Sequence, residues 1–215
     1  MSDTLKAIIF DLDGTLADTY PLIFMAFNHF AKRYLGREYE PGEIEALFGP
    51  AETKIISSLV PPEKRDEAIE YYYGSYMSLH HHARLFDGIG PMLEEVYERN
   101  IPLGIFTGKG KRSARITLRE LGIERMFKAV VSGDDVSCRK PDPEGLLLAA
   151  KLLGIEPQKA LMVGDHPVDI LAGKAAGVQT AAALWHNYKL NELISSGPDL
   201  TFKTPFELKE WLKKN

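Results

Sequence analysis

Ile8-Ile9-Phe10-Asp11-Leu12-Asp13-Gly14-Thr15-Leu16-Ala17-Asp18 is the stretch whose reading decides the fold. It opens inside an apolar run, Leu5 to Phe10, rich enough in Ile and Phe to predict a strand buried on both faces. The run stops at two carboxylates one residue apart, followed at once by Gly-Thr. A buried strand that ends in acids carries them at its carboxyl edge, where open α/β sheets bind their ligands. Two aspartates so close repel each other unless a cation or a protonation difference relieves them. A strand running into an ordinary Asp-Gly turn would account for the glycine. It would not account for the whole DxDGTxxD string and the later residues that complete it.

Working outward, the chain has 215 residues, enough for one domain plus an insertion. With 45% hydrophobic and 26% charged residues it has the balance of a soluble globular protein with material for a core. The net charge of −4 and the lack of a basic block argue against nucleic acid as a partner. No apolar run approaches the ~20 residues that span a bilayer, and no signal-peptide pattern opens the chain, so no membrane partner and a cytoplasmic location are expected. Cys138 is the only cysteine, which excludes an intrachain disulfide and a cysteine-based zinc cluster.

After Tyr20 the pattern is helical. Segments are predicted over Pro21–Tyr34 with Gly36 as the stop, Glu43–Phe48, Ala51–Leu59 and Glu63–His80. Strand character returns at Ile101–Phe106 and then alternates with helices. Strands are predicted at Ala129–Ser132, Ala160–Val163 and Val178–Ala183, and weakly at Leu200–Thr201. The intervening helices are Arg112–Leu121, Pro143–Leu153, Val168–Ala176 and Leu190–Ser195, with Pro205–Lys213 closing the chain. This spacing calls for an α/β, Rossmann-like, doubly wound parallel sheet. A crossover needs only about a dozen residues, so the long helical block after the acidic motif is an insertion over the carboxyl edge of the sheet. The expected division is a core of 1–17 and 86–215 and an α-helical cap domain of 18–85.

DLDGTLAD resembles the first motif of the haloacid dehalogenase superfamily of phosphoryl-transfer enzymes, and KPDP (140–143) and GDHPVD (164–169) resemble its third and fourth. The helical block between the first two motifs resembles that family's small cap, so the likeness covers essentially the whole chain. It points to the branch of phosphoglycolate phosphatases and bacterial pyrophosphatases. The implied reaction is Mg²⁺-dependent hydrolysis of a small phosphorylated metabolite, either a phosphoglycolate-like phosphomonoester or pyrophosphate, by a monomer or homodimer. Asp11 is the expected nucleophile, forming an aspartyl-phosphate. Asp13 is the expected general acid and base. An acid at position 13 argues against the carbon-halogen and carbon-phosphorus cleaving relatives.

The remaining roles follow the same pattern. Thr107 and Gly108 can donate hydrogen bonds to phosphoryl oxygens, although Asn or another small polar residue is more usual than Gly108. Lys140 supplies a point charge for the phosphoryl group. Asp11, Asp165 and the backbone carbonyl of Asp13 make the oxygen-rich Mg²⁺ site, and Asp169 steadies metal waters or Lys140. In the cap, Glu52, Thr53 or Lys54 could read the leaving group, or simply form an interhelical turn. Ala17-Asp18-Thr19 and Arg84 to Gly88 are the chain crossings expected to act as hinges. The His80-His81-His82 run reads as solvated. Two other functions stay open on sequence alone, a β-phosphoglucomutase-like phosphotransferase and a non-catalytic phosphate-binding regulator.

Overall fold

The computed structural model describes residues 5–186 and 189–214. Residues 1–4, 187–188 and 215, assigned above to the core, lie outside the described residues. In chain order the elements begin with β1 (Ala7–Phe10), β2 (Ala17–Asp18), α1 (Tyr20–Leu35), α2 (Pro41–Glu45), α3 (Glu52–Leu59) and α4 (Arg65–Ser78). There follow β3 (Arg84–Leu85), α5 (Ile89–Glu98), β4 (Leu103–Phe106), α6 (Lys111–Glu120), β5 (Phe127–Val131) and α7 (Glu144–Leu153). The chain ends with β6 (Ala160–Gly164), α8 (Pro167–Ala176), β7 (Gln179–Ala183), α9 (Leu190–Ser195), β8 (Leu200–Phe202) and α10 (Pro205–Leu212).

Six strands form one sheet in the order β5-β4-β1-β6-β7-β8, with every pairing parallel. Alternation along β1 explains why helices cover both faces. Ile8 and Phe10 enter a core with α5, α6 and α10, where Met92, Leu118 and Leu208 are fully buried. Ala7 and Ile9 point the other way, into a core with α7 and α8 that includes Leu146 and Ala172. From β1 the chain builds the sheet first toward β4 and β5, then returns to lay β6, β7 and β8 on the opposite side. The strand order therefore reverses beside β1, and the crevice beyond its carboxyl end is where such sheets hold ligands.

Helices α1 to α4 bury a separate apolar cluster that includes Phe27, Phe30, Ile56, Tyr72 and Tyr76. Helix α1 carries Pro21 in its first turn, Lys32 and Arg33 in its last, and Gly36 at φ 67° as its left-handed stop. The two segments that join this block to the sheet pair as a two-stranded antiparallel ribbon, Ala17 opposite Leu85 and Asp18 opposite Arg84.

Several boundaries differ from the sequence reading. The helix expected over Glu43–Phe48 runs over Pro41–Glu45, because Pro41 opens it rather than breaking the chain and Glu40 and Glu43 cap it reciprocally. The segment Glu63–His80 divides into a 3-10 turn at Pro62–Lys64, α4, and a second 3-10 turn at His80–His82. Strand β5 starts at Phe127 rather than Ala129. Strand β4 starts at Leu103 because Pro102 has no N–H for the ladder, although its carbonyl accepts the Ile8 amide at 3.1 Å. The ribbon was missed, since two-residue strands leave no alternation to read. Among the described residues no helix is long and apolar enough to cross a membrane.

Candidate active site

Strand β1 runs one residue beyond its formal end. The Asp11 amide donates to the Val163 carbonyl at 2.9 Å, which continues the parallel ladder and sets Asp11 beside the end of β6. Asp165 and Asp169 follow β6, and Lys140 comes from the loop before α7. The Lys140 Nζ lies 3.0 Å from Asp11 Oδ1 and 2.6 Å from Asp169 Oδ1, and donates to the Phe106 carbonyl at 3.2 Å. Asp169 Oδ2 also accepts the His166 amide at 3.0 Å, so both of its oxygens are engaged. A Cβ on Gly164 would come within 2.4 Å of Asp169, so only glycine there lets this carboxylate lie against the end of β6.

Burial dominates the electrostatics. It pushes the Asp11 carboxyl up to about 7, Lys140 opposes the shift, and the charges of Asp169 and Asp13 add to it. Asp165 and Asp169 are raised by burial as well. For Lys140, burial alone would lower the pKa, but Asp11 and Asp169 outweigh it and keep the lysine charged.

Asp13 is gripped from two sides. Its Oδ1 accepts the Thr19 hydroxyl at 2.5 Å, and its Oδ2 lies 3.2 Å from Lys109 Nζ. The Lys109 side chain is 2% exposed, reaches within 3.9 Å of Glu52 Oε1, and lies over the Tyr76 ring at 5.2 Å. Glu52 also accepts the Gly110 amide at 2.8 Å and the Ser113 hydroxyl at 2.5 Å, so a residue of α3 supplies the acceptor for the start of α6. Asp165 is held by the Thr15 hydroxyl at 2.8 Å and by His186 Nδ1 at 3.1 Å. Burial lowers the His186 pKa, but the hydrogen bond and charge of Asp165 raise it above the ordinary value. Gly14, at φ 81°, gives this group room, since a Cβ would sit 2.2 Å from Asp165 Oδ2.

Thr107 is buried at the end of β4, and its hydroxyl oxygen accepts the Lys109 amide at 3.2 Å, leaving the hydroxyl proton available to donate. At Gly108 a Cβ would meet nothing within 4 Å. Asp11, Asp13, Thr107, Gly108, Lys140, Asp165 and Asp169 all line one cavity of about 440 Å³ between the sheet edge and the helical block. Of the three cap residues singled out from sequence, Glu52 lines it while Thr53 and Lys54 do not.

The donor set suits a divalent cation. Carboxylate oxygens of Asp11, Asp165 and Asp169 lie within 4.8 Å of one another, all buried. Asp11 Oδ1 is buried with no well-aligned hydrogen bond, and Lys140 Nζ, 3.0 Å away, is its nearest charged neighbour. Three close carboxylates against one lysine leave negative charge for a hard, oxygen-seeking ion to neutralise. No His80, His81 or His82 atom joins such a group among the described residues, and His80, expected to be solvated, is instead buried with its ring against Tyr76.

Sequence reasoning gave Lys109, Thr15 and His186 no role, and placed Thr19 only in the hinge Ala17-Asp18-Thr19. Lys109 did carry a signal, a lysine between two glycines at the end of a buried strand. His186 followed Trp185 just past an apolar strand, and Trp185 Nε1 donates to the Thr15 carbonyl at 2.9 Å. The threonine roles became visible only when the chain was folded.

A doubly wound parallel sheet with this acidic pair, lysine and second acidic pair at its switch point defines a haloacid dehalogenase-like hydrolase. The chain belongs to that family, whose model matches residues 8–183, and it falls among the family's phosphatases. Pyrophosphatase PpaX of Anoxybacillus flavithermus is 33% identical over 95% of each chain. A phosphoglycolate phosphatase of Aquifex aeolicus is 32% identical, again over 95% of each. A solved hydrolase from Pseudomonas syringae is 27% identical and superimposes with a TM-score of 0.78 over 97% of this chain and 98% of that one.

Proposed function

We propose that this protein is a Mg²⁺-dependent phosphatase that hydrolyses a small phosphomonoester through an aspartyl-phosphate on Asp11. The observation that carries the reading is the Asp11 carboxylate, on the cavity wall with an oxygen lacking an aligned hydrogen bond and with Lys140 Nζ 3.0 Å away. Asp11 attacks phosphorus as the bond to the leaving oxygen breaks. Asp13, steadied by Thr19 and Lys109, gives that oxygen a proton. It then takes a proton from the water that cleaves the aspartyl-phosphate, which frees inorganic phosphate and restores Asp11. Lys140, the Thr107 hydroxyl and the Gly108 amide hold the phosphoryl oxygens. Asp11, Asp165 and the Asp13 carbonyl would hold Mg²⁺, whose charge offsets that of the phosphoryl group. The helical block of 18–85 serves as the cap, and its docking on α6 keeps bulk solvent out while leaving room for the one water that cleaves the intermediate.

The names of the relatives bring pyrophosphate and phosphoglycolate forward as substrates. The test is phosphate release with Mg²⁺ from phosphoglycolate, pyrophosphate, β-glucose 1-phosphate and simple alkyl phosphates. Release that Asp11→Asn lowers at least ~10³-fold, and that chelation abolishes, is expected. Interconversion of glucose phosphates without net phosphate release would overturn the hydrolase reading in favour of a mutase.

A further inference from the structure

The cavity is chemically divided. Its described cations, Lys109, Arg139, Lys140 and Lys189, all come from the core. Lys109 and Lys140 are committed to carboxylates, Arg139 adjoins Lys140 in sequence, and Lys189 is near enough to lower the pKa of His166, where burial is the larger cause. Among the described lining residues, positive charge therefore enters the cavity only from the core, with Lys109 and Lys140 fixed beside Asp13 and Asp11. The helical block contributes a different surface. Ile23, Phe27, Ile44, Phe48, Ile55 and Tyr72 line that side, and the only charged groups it adds among the described residues are Glu45 and Glu52. Phe48 is partly exposed on this wall, and its ring lies 6.1 Å from that of Tyr20, which stacks on His186 at 4.7 Å.

Pyrophosphate and phosphoglycolate each carry a second anion. Placed on Asp11, either would turn that anion toward apolar side chains and two carboxylates, with no cap cation to receive it, and burying an unpaired charge is costly. The volume of about 440 Å³ also lies within the range of pockets that hold organic ligands, about 300–1,000 Å³, and exceeds what a phosphate with a two-carbon acid needs. We infer that the cap side of this cavity binds an uncharged, apolar leaving group, so that the substrate is the phosphomonoester of an aliphatic or aromatic alcohol. The inference rests on the phosphatase reading for its chemistry, but binding alone can test it.

The experiment measures Mg²⁺-loaded protein binding to ethyl-, butyl- and hexylphosphonate, phosphonoacetate and imidodiphosphate by calorimetry, beside turnover of the matching phosphates. Alkyl phosphates keep leaving-group acidity nearly constant, so a trend with chain length reports the cavity and not the chemistry. Affinity and kcat/KM should rise about fourfold for each methylene that enters the cap side. Hexylphosphonate should bind at least tenfold more tightly than phosphonoacetate, and Phe48→Ala should flatten the series. Tighter binding of imidodiphosphate or phosphonoacetate than of hexylphosphonate would overturn the inference, above all if Arg139→Gln removed it. Chain-length-dependent binding without phosphate release from any ester would support the apolar subsite and count against the phosphatase reading alone.

Discussion

Glu52 Oε2 accepts the Gly110 amide at 2.8 Å, a hydrogen bond between the first residue of α3 and the start of α6 across 58 residues of sequence. The same carboxylate takes the Ser113 hydroxyl and lies 3.9 Å from Lys109, which in turn holds Asp13. Docking of the helical block on α6 is thereby coupled to the placement of Asp13, the proposed acid-base residue. Glu52→Ala should lower kcat/KM by about 10–100-fold, as expected for losing a charge-assisted hydrogen bond of about 1.5–3 kcal/mol. Glu52→Gln, which keeps an acceptor for Gly110, should lose less. Steady-state kinetics on both variants decide the point, and values within twofold of wild type would remove Glu52 from the closure mechanism.

Arg112 of α6 and Glu70 of α4 form a two-point contact, with Nη2 donating to Oε2 at 2.8 Å, on the exposed rim of the same interface. Replacing both with cysteine in a Cys138→Ser background allows a bis-methanethiosulfonate cross-linker, which loses a sulfinate as each mixed disulfide forms, to tie the cap down. Because β2 and β3 already pair with each other, a link within that ribbon would not restrain the cap, whereas this one would. Turnover at saturating substrate should fall at least tenfold and return on reduction. If the cross-linked enzyme turns over at the unlinked rate, opening about the ribbon is not part of the cycle.

Periodicity and punctuation carried most of the fold. The parallel sheet was readable because its strands are short apolar runs, several of them following a helix with a glycine stop, as at Gly122 and Gly154. The acids of the site were readable because they sit immediately after those runs, where burial cannot explain them. What escaped notice depends on distance in space. Lys109 gains meaning only when Asp13 and Glu52, 96 and 57 positions away by numbering, close around it. His186 joins Asp165 through a loop with no periodic signature. The helix expected from Glu43 begins at Pro41, because the reciprocal Glu40–Glu43 capping pair sets its start two residues earlier.

Lys140 is the only lysine paired with Asp11 or Asp169 among the described residues, and it touches both. Lys140→Met removes that charge while leaving three buried carboxylates in mutual contact. Breaking such a buried pair costs about 3–5 kcal/mol, and kcat should fall about 10²–10³-fold with the loss of a phosphoryl-binding group. Lys140→Arg should not rescue activity, since a planar fork does not replace a point charge in so tight a site. Urea denaturation and kinetics on both variants test this. A Met variant that is as stable as wild type at pH 8 would show that the carboxylates find their compensation elsewhere.

Metal-free protein should lose stability as pH rises through the range in which Asp11 ionises. Its carboxyl is raised from 3.8 to about 7 by burial, so between those values the folded state holds a proton that the unfolded chain has released. Stability attributable to this group therefore declines from about pH 4 upward, and the full penalty is reached above about pH 7. Asp165 and Asp169 shift in the same direction for the same first cause. Asp11→Asn removes the ionisation, so without metal it should melt above wild type at pH 8 and close to it at pH 5. A bound divalent cation favours the ionised site and stabilises the native state by mass action. The rise in melting temperature on adding Mg²⁺ should accordingly grow from pH 5 to pH 8 in wild type and shrink in Asp11→Asn. Thermal melts at fixed ionic strength, with EDTA or with Mg²⁺, measure both differences. A Mg²⁺ shift that is independent of pH and identical in the two proteins would place the ion away from Asp11.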